Sequence, residues 1–388
     1  MRIAFKMAFK NLIGAGLRTW LNVSVLAFCF IVIVFYNGFL NGWQKQGRQD
    51  ARDWEFAQGQ LYHAEYDPYD VFTIKDGHGA LSEAESENLT PVLIQQATLY
   101  PHGRMNPILI KGIPLNQDVI KLPIKVLAAS DAKIPVLIGK RMAEASKLNL
   151  GDDVLLRWRD KNGTYDAASI NVAGIFDSDV ATIDNGQIWM TLGKIREISG
   201  LNNEATLYIA NELYQPKQIA GWEFQSLSTL LKDFDSAVMA ERAASMVIYL
   251  ILLAIGLLAI FDTQVLSIFR RQREIGTYIA LGMTKHQVLK IFTVEGVMYS
   301  IFAGIVGVAI GAPLFYFTSS QGINIGDVGN AAGGMGISMA NIIYPSFGPT
   351  LIGGTFLLLV FSATLVSFLP ARKISKMNPV DALKGKMS

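Results

Sequence analysis

Four histidines are the side chains of this sequence best suited to bind a metal or to transfer protons near neutral pH. They are His63, His78, His102 and His286, and none has the H-E-x-x-H spacing or another metal-ligand spacing. The first three fall in polar segments, so we expect them to lie at the surface. The histidines therefore predict neither a metal site nor a catalytic site.

Motifs for nucleotide binding and nucleophilic catalysis are missing from the sequence as well. Gly139-Lys140 resembles the end of a phosphate-binding loop, but Ile134 replaces its first glycine and no Ser or Thr follows the lysine. No G-x-S-x-G stands anywhere in the sequence. We therefore expect no catalytic residue, no enzyme activity, no cofactor bound by this chain and no nucleic-acid partner.

Two acids, Asp262 and Glu295, lie in or beside otherwise apolar segments. A charge at the centre of a bilayer costs about 2.5–3.5 kcal/mol on insertion scales, so such residues often have a task. Asp262 lies eight residues before Arg270, and Glu295 lies five residues after Lys290, which puts both acids near one face of the membrane. This position favours structural hydrogen bonds over a proton or ion path.

The elements that must position these residues are four apolar segments separated by polar sequence. The segments are Leu21–Leu40, Ala243–Phe269, Gly296–Thr318 and Thr350–Leu369. About 20 helical residues cross a bilayer core of about 30 Å. The sequence predicts a membrane α-helical protein with four transmembrane helices and a large extracytoplasmic α+β domain inserted between helices 1 and 2.

Basic residues at the ends of these segments predict the orientation. Lys and Arg flank the segments at both termini and in the loop 270–290, whereas the loop 319–349 has none. Because positive loops stay cytoplasmic, we expect both termini and the loop 270–290 inside the cell. The first apolar run is too long for a cleaved signal peptide and predicts a retained anchor. It contains the single cysteine, Cys29.

The predicted organisation of the chain follows from these segments and from the positions of the charges. In chain order it comprises an amphipathic cytoplasmic-face helix (1–18), helix 1 (19–42), the extracytoplasmic domain (43–242), helix 2 (243–269), a cytoplasmic loop (270–290), helix 3 (291–318), an extracytoplasmic loop (319–349), helix 4 (350–369) and a cytoplasmic tail (370–388).

The segment 43–242 mixes patterns typical of strands and of helices. Short apolar or alternating runs predict strands at Leu93–Tyr100, Ile108–Ile113, Val154–Trp158, Ile170–Phe176, Gln187–Met190 and Ala205–Ile209. Ser82 and Glu85 predict a capping box for a helix through Leu89, and Arg141–Leu148 predicts a second helix. Trp222–Phe269 lacks Pro and predicts a long helix that enters the second apolar segment.

The loop that follows the second apolar segment is the most specific stretch of the sequence. Glu274–Leu281 predicts a short amphipathic helix, which Gly282 ends, and Thr284 is placed to cap the next helix. A short surface helix between two spans can lie on the membrane or dock into a soluble partner. Both readings are open on this pattern alone.

Small residues on the third apolar segment predict close helix packing. Gly304, Gly307 and Gly311 include a G-x-x-x-G pair, which lets two helix backbones approach each other. The pattern fits packing within one chain and packing between subunits equally well.

Several motifs together resemble the FtsX-like permeases of ABC transporters, of the MacB and LolC/LolE type. The loop contains Arg273-Glu274-Ile275-Gly276 and Ala280-Leu281-Gly282-Met283, followed by Glu295-Gly296. The end of the chain contains Pro370-Ala371-Arg372 and Asn378-Pro379-Val380-Asp381-Ala382-Leu383. The segment before helix 2 contains 136–140, 148–152 and 172–176, which are similar to the family's extracytoplasmic core.

The resemblance implies a permease subunit of the bacterial inner membrane that pairs with a second permease, identical or different, and with cytoplasmic ABC ATPases that bind ATP and Mg²⁺. It implies that the loop contacts the ATPase through Arg273, Glu274, Ile275, Gly276, Tyr278, Ala280, Leu281, Gly282 and Met283. Membrane lipid and a periplasmic carrier or cargo protein are further expected partners. Asp262 replaces a polar amide usual in the family, and Tyr278 replaces a shorter aliphatic residue.

Three functions remain open at this stage. The first is extraction or export of a lipoprotein or another amphipathic cargo, coupled to ATP hydrolysis by mechanical movement of the periplasmic domain. The second is a mechanotransmitting signalling subunit that regulates a periplasmic partner such as a cell-wall hydrolase. A membrane peptidase is the third, and the missing catalytic motifs argue against it.

Overall fold

The computed structural model describes residues 17–70, 72–178, 180–326 and 340–376. The chain divides into two compact units. Unit 1 contains Met1–Gly42, Val238–Ile323 and Tyr344–Ser388, and unit 2 contains Trp43–Ala237 and Asn324–Ile343. The predicted helix 1–18 lies outside the described residues except for its last two, and so do the tail residues from 377 onward.

Unit 1 is built from long helices that follow the apolar segments. They are α1 (Leu17–Ala51), α6 (Lys232–Arg270), α8 (Lys285–Gln321) and α9 (Pro349–Lys376), with the short helix α7 (Gln272–Ala280) between α6 and α8. Four helices among the described residues are long and apolar enough to cross a membrane. They pack around a core that includes Leu26, Phe30, Ile260 and Tyr299.

The long helices extend beyond the apolar segments that predicted them. Helix α1 continues to Ala51 and α6 begins at Lys232, whereas the predicted spans were 19–42 and 243–269. The polar residues at these ends are ordinary helix formers, and no proline interrupts them, so the helical hydrogen bonds continue past the apolar boundary. The compact units divide near residues 42 and 237 rather than at 242.

Unit 2 contains a mixed sheet whose strands alternate with short helices. In chain order these elements are β1 (Gly59–His63), β2 (Leu89–Tyr100), β3 (Asn106–Ile113), β4 (Pro135–Gly139), α2 (Lys140–Ser146), β5 (Asp153–Arg159), β6 (Tyr165–Phe176), α3 (Ala181–Asp184), β7 (Gln187–Thr191), α4 (Leu192–Ser199), β8 (Leu207–Ala210), β9 (Trp222–Ser226) and α5 (Leu227–Leu230). A two-stranded sheet pairs β10 (Ile323–Asn324) with β11 (Ile342–Ile343).

Six of these strands close into a ring. The sheet order is β3-β7-β4-β6-β5-β2-β8-β1-β9, and β2 also pairs with β3, so the first six strands form a small barrel with β8, β1 and β9 as an extension. Alternate side chains such as Leu93, Ile110, Leu156 and Ile188 are fully buried and belong to one cluster. We infer that this cluster fills the barrel, as expected for a narrow ring of strands.

The six strands predicted from alternating sequence are confirmed, while β1, β4 and β9 were not predicted as strands. The prediction of a helix from Trp222 is wrong, because Trp222–Ser226 pairs with β1 before the helices begin. The predicted helix from Ser82 to Leu89 is also wrong. The Ser82 hydroxyl does bond to Glu85, but the residues form turns, Asn88 has a φ of 64°, and β2 begins at Leu89.

Candidate functional site

The short helix α7 is sharply bounded at its carboxyl end. The amide of Met283 donates to the carbonyl of Tyr278 (3.0 Å) and that of Gly282 to Ile279 (3.1 Å), and Gly282 has a φ of +96°. This is the Schellman pattern, in which glycine takes the left-handed position at little cost. Thr284 and Gln287 then form a capping box that starts α8. The predicted helix end at Gly282 and cap at Thr284 are confirmed.

One face of α7 is buried against the ends of the long helices. Ile275 is fully buried in a cluster with residues from α6, α8 and α9, namely Ile268, Val288, Leu289, Phe292, Ala371 and Ile374. Gly276, next to it, is buried too. Burying one isoleucine side chain contributes about 1.5–3 kcal/mol, so this cluster fixes α7 to the helices around it.

Arg271 joins α7 to α8 through two carboxylates. Its Nε donates to Oε2 of Glu274 (2.8 Å), and its Nη1 donates to Oε2 of Glu295 (3.1 Å). The guanidinium also lies over the ring of Phe292, 5.0 Å from its centroid. We call Arg271, Glu274, Glu295 and the buried apolar residues around them the loop cluster.

The charges of the loop cluster differ in their exposure. The side chain of Glu295 is 5% exposed and that of Arg271 is 18% exposed, whereas Glu274 is 55% exposed. Burial lowers the pKa of Arg271, but its hydrogen bond to Glu274 and the charges of Glu295 and Glu274 outweigh this and raise the pKa above its ordinary value. Arg271 therefore stays charged. Removing one partner of a buried ion pair typically costs about 3–5 kcal/mol.

The opposite face of α7 is open. Arg273, Glu274, Thr277 and Ala280 are exposed, and Leu281 is 78% exposed. Of the other residues predicted for the contact, Tyr278 and Met283 are half-buried at the edge of the loop cluster and Gly282 is exposed. The nine predicted residues thus divide into an anchoring face with Ile275 and Gly276 and an open face with a prominent leucine.

The structure places the two intramembrane acids differently. Glu295 is buried beside Arg271, whereas Asp262 is exposed on α6. Gly304, Gly307 and Gly311 are buried on α8, and a Cβ added at each would lie within 2.9 Å of Phe356, Phe30 and Phe315, respectively. These glycines make room for aromatic side chains of their own chain.

Polar side chains inside unit 1 were missed by the sequence analysis. The Asn22 amide donates to the hydroxyl of Thr263 and so joins α1 to α6. Gln264 is fully buried, and neither its amide nitrogen nor its oxygen has a hydrogen-bond partner among the described residues. Ser367 is also fully buried and lies close to Gln264. A Cβ added at Gly296 would contact both Oγ of Ser367 and Nε2 of Gln264. The only sequence signal for these residues is that each is a polar residue within an apolar segment.

His78 lies within unit 2 and was wrongly predicted to be a surface residue. Its side chain is 12% exposed, Nδ1 contacts the carboxylate of Glu204, and Nε2 lies 2.9 Å from the carbonyl oxygen of Ile74. His63 packs edge-on against Trp222. Burial is the main cause that lowers the pKa of His63, and the charge of His78 lowers it further. No group of three His, Cys, Asp or Glu side chains in the described part of the chain could hold a metal.

Lys140 and the adjacent Arg141, which follow Gly139, both form ion pairs with carboxylates of unit 2. Lys140 begins α2, and its Nζ donates to Asp177 (2.8 Å). Arg141 donates to the carbonyl of Ser178 (3.0 Å) and to Oδ2 of Asp184 (2.9 Å), which is fully buried. Burial raises the pKa of Asp184 to about 6, although the charge of Arg141 opposes the shift.

Comparison with known families gives a match that includes the loop cluster. Residues 246–379 match the profile of the FtsX-like permease C-terminal family. These residues contain most of α6 and all of α7, α8 and α9.

Curated relatives show the same likeness. The macrolide export ATP-binding/permease protein MacB of Salmonella choleraesuis (strain SC-B67) is 23% identical over 204 residues, which cover 51% of this chain and 28% of that protein. MacB of Neisseria gonorrhoeae (strain ATCC 700825 / FA 1090) is 30% identical over 136 residues, 35% of this chain and 18% of the relative. The pyoverdine export ATP-binding/permease protein PvdT of Pseudomonas entomophila (strain L48) is 26% identical over 232 residues, which cover 56% of this chain and 29% of that protein.

The chain spans less than a third of the length of these relatives. Among solved structures, the extracellular domain of the ABC-type transporter YknZ from Gram-positive bacteria is similar, with 15% sequence identity and a TM-score of 0.23. The match covers 40% of this chain and 83% of that domain.

Proposed function

We propose that the chain is the permease subunit of an ABC transporter, because residues 246–379 match the FtsX-like permease C-terminal family and its curated relatives include ATP-binding/permease proteins. In this proposal ATP and Mg²⁺ are bound by a cytoplasmic ATPase, which is a separate polypeptide. The chain itself catalyses no reaction. It converts ATP-driven movement of the ATPase into movement of its extracytoplasmic domain.

The observation that carries this proposal is the construction of the loop cluster. A helix that transmits movement from the ATPase must be fixed to the long helices and must also present an exposed surface to the ATPase. Helix α7 meets both needs, since Ile275 and Arg271 fix it to the long helices while Leu281 and the Glu274 side are open. The short link at Gly282–Thr284 connects α7 to α8 without a long flexible loop.

Two of the long helices, α1 and α6, offer a route for the movement. Helices α1 and α6 each contain residues of both compact units, so each is continuous from apolar sequence into unit 2. Movement of this kind is a rigid-body rearrangement. We propose an inner-membrane location with both termini and α7 in the cytoplasm and unit 2 in the periplasm, as the distribution of Lys and Arg predicts.

We propose an amphipathic cargo, such as a lipoprotein or a lipid. In unit 1 a groove of about 420 Å³ is lined mainly by apolar side chains of α1, α6 and α9, including Ile33, Leu250, Leu253 and Leu358. Asn37, Tyr249 and Thr350 add polar groups to the same groove. A lining of this mixed kind suits a molecule with an acyl chain and a polar end better than it suits a soluble sugar or an ion.

A second permease subunit completes the proposed assembly. Large apolar side chains of α6 and α9 are exposed in the single chain, among them Ile251, Leu258, Leu357 and Phe361. Membrane lipid or a partner helix must cover them, and an ABC transporter with paired ATPases needs two permeases. Whether the second permease is identical or different is decided by the native mass of the purified complex.

Binding of the ATPase tests the proposal directly. A cytoplasmic ABC ATPase from the same organism would be captured on the tagged wild-type chain and on Leu281→Glu, which puts a charge on the open face of α7. Leu213→Glu in unit 2 is the matched control, because Leu213 is 75% exposed and Leu281 78%. We expect capture to fall at least 10-fold with Leu281→Glu alone. Equal capture by both variants would contradict the assigned contact.

A further inference from the structure

A cavity of about 490 Å³ lies on the barrel of unit 2 and contains no residue of the loop cluster. Strands β2, β3 and β5 line it, and the segment before β2 contributes Pro68, Thr73 and Ile74. Its volume falls within the range of about 300–1,000 Å³ that is usual for sites of small organic ligands. The residues that line it therefore indicate the kind of ligand it can hold.

Two arginines of β5 give the cavity a positive charge. Arg157 and Arg159 alternate with Leu156 and Trp158, which are buried in the barrel core, so both arginine side chains point to the other face of the strand. Arg157 lies directly opposite Thr98 of β2, another lining residue. Among the described residues neither arginine forms an ion pair.

Aromatic rings hold both guanidinium groups in position. Cζ of Arg157 lies 4.3 Å from the ring centroid of Tyr165, and Cζ of Arg159 lies 4.5 Å from that of Phe72. Nε of Arg159 also donates to the carbonyl oxygen of Gly163 (3.0 Å). Stacking uses the face of a guanidinium and leaves its N–H edge available for a planar or tetrahedral anion. The side chains are thus ordered before a ligand arrives, which lowers the entropic cost of binding.

Much of the remaining lining is apolar. Ile94, Leu109, Pro107 and Met105 line the cavity, and Met105 is 69% exposed. A ligand with a charged head group and an apolar portion would satisfy both parts of this lining.

We infer that this cavity binds an anionic amphiphile, a molecule with a phosphate or carboxylate head group and an apolar portion. Arg157 and Arg159 contact the head group, and Leu109 and Met105 contact the apolar portion. Charge-assisted hydrogen bonds from arginine are the strong ones in such a site and set its preference for anions. The inference deepens the proposed function by naming a chemical class of amphipathic ligand and a site for it in unit 2, and it rests on that function only where the ligand is taken to be cargo.

Calorimetric titration of the full-length chain in phosphatidylcholine nanodiscs tests the inference. The probes are octyl phosphate, octyl glucoside and inorganic phosphate, with the two octyl compounds kept below their micelle concentrations. The variant is Arg157→Gln/Arg159→Gln. The control is Lys125→Gln/Lys133→Gln, which removes the same charge from exposed lysines outside the cavity. We expect octyl phosphate to bind the wild-type and control chains alike and to bind the arginine variant at least 30-fold more weakly.

Three results would overturn the inference. They are equal binding of octyl phosphate to the arginine variant and the wild-type chain, equal binding of octyl glucoside and octyl phosphate to the wild-type chain, and equal binding of inorganic phosphate and octyl phosphate. Dihexanoyl phosphatidic acid and octanoate then separate two sources of the ligand. Preference for the first supports a phospholipid, and preference for the second supports a carboxylate amphiphile. Failure of these titrations leaves the permease assignment untouched, because no step involves the ATPase.

Discussion

Arg271 donates a hydrogen bond from Nη1 to Oε2 of Glu295 over 3.1 Å and thereby joins the start of α7 to the first apolar turns of α8. The acid is buried and the arginine is held between two carboxylates. A force applied to α7 therefore reaches α8 through an ion pair as well as through the apolar contacts of Ile275. In the proposed coupling, the Arg271–Glu295 ion pair therefore helps to transmit movement from α7 to α8.

Replacement of Arg271 should uncouple the ATPase without releasing it. We expect Arg271→Ala to retain capture of the ATPase on the open face of α7 but to reduce stimulation of ATP hydrolysis at least fivefold. Arg271→Lys should give an intermediate value, since lysine keeps the charge but loses the forked geometry. Steady-state ATPase assays on the reconstituted complex give the values. Full stimulation by Arg271→Ala would rule out this role for the ion pair.

Gly296 and Gly353 offer a matched pair for testing the packing of unit 1. An added Cβ at Gly296 would lie 1.9 Å from Oγ of Ser367, whereas one at Gly353 would meet nothing within 4 Å. We expect Gly296→Ala to lower the unfolding temperature by several degrees, because α8 and α9 must separate to accept the methyl group. Gly353→Ala should be neutral or slightly stabilising, since alanine is the better helix former. Thermal unfolding in detergent gives both values, and equal shifts would contradict the packing of α8 on α9.

Asp184 should make the stability of unit 2 depend on pH. Its pKa rises from 3.8 to about 6 in the folded chain, so the folded state holds the proton more tightly than the unfolded state does. The resulting contribution is fully present below about pH 4 and is lost as the pH rises through 6, a change of at most about 3 kcal/mol. We expect Asp184→Asn to gain stability relative to the wild-type chain between pH 4 and pH 7. A constant difference in unfolding temperature across this range would contradict the shift.

Single cysteines test the proposed orientation. In a chain in which Cys29 is replaced by alanine, a membrane-impermeant maleimide applied to intact spheroplasts should label Asn324→Cys and not Thr284→Cys. Both positions are exposed in the structure. Labelling of both after lysis is the control for reactivity. The opposite pattern in intact spheroplasts would reverse the orientation.

The sequence predicted best those elements whose signals are local. Apolar length predicted the four long helices, short apolar or alternating runs predicted six strands, and Gly282 and Thr284 predicted the end of α7 and the start of α8. It failed for β9, although Trp222-Glu223-Phe224-Gln225 alternates between aromatic and polar residues. The run is short and continues without a proline into the long helical segment, so the sequence predicts the start of that helix there, whereas the run pairs with β1.

In the candidate site, too, contacts between separate elements were not predictable from local sequence patterns. The sequence singled out Glu274 and Glu295 separately, and the structure shows that Arg271 connects them. The three-residue spacing of Arg271 and Glu274 is a visible signal for an ion pair on one helix face. The contact with Glu295 depends on how α7 folds back against α8, and a sequence pattern does not contain that information. The burial of His78 was hidden for the same reason.

Hydrogen exchange in unit 2 shows whether movement of an ATPase reaches this unit. The full-length chain would be reconstituted in nanodiscs with and without the partner ATPase, and exchange along the barrel strands would be compared before and after addition of ATP. We expect ATP to change exchange in unit 2 only when the ATPase is present, and we expect Leu281→Glu to abolish the change. An ATP-dependent change in the chain alone, or none in the complete complex, would contradict the claim that movement is relayed from an ATPase to unit 2.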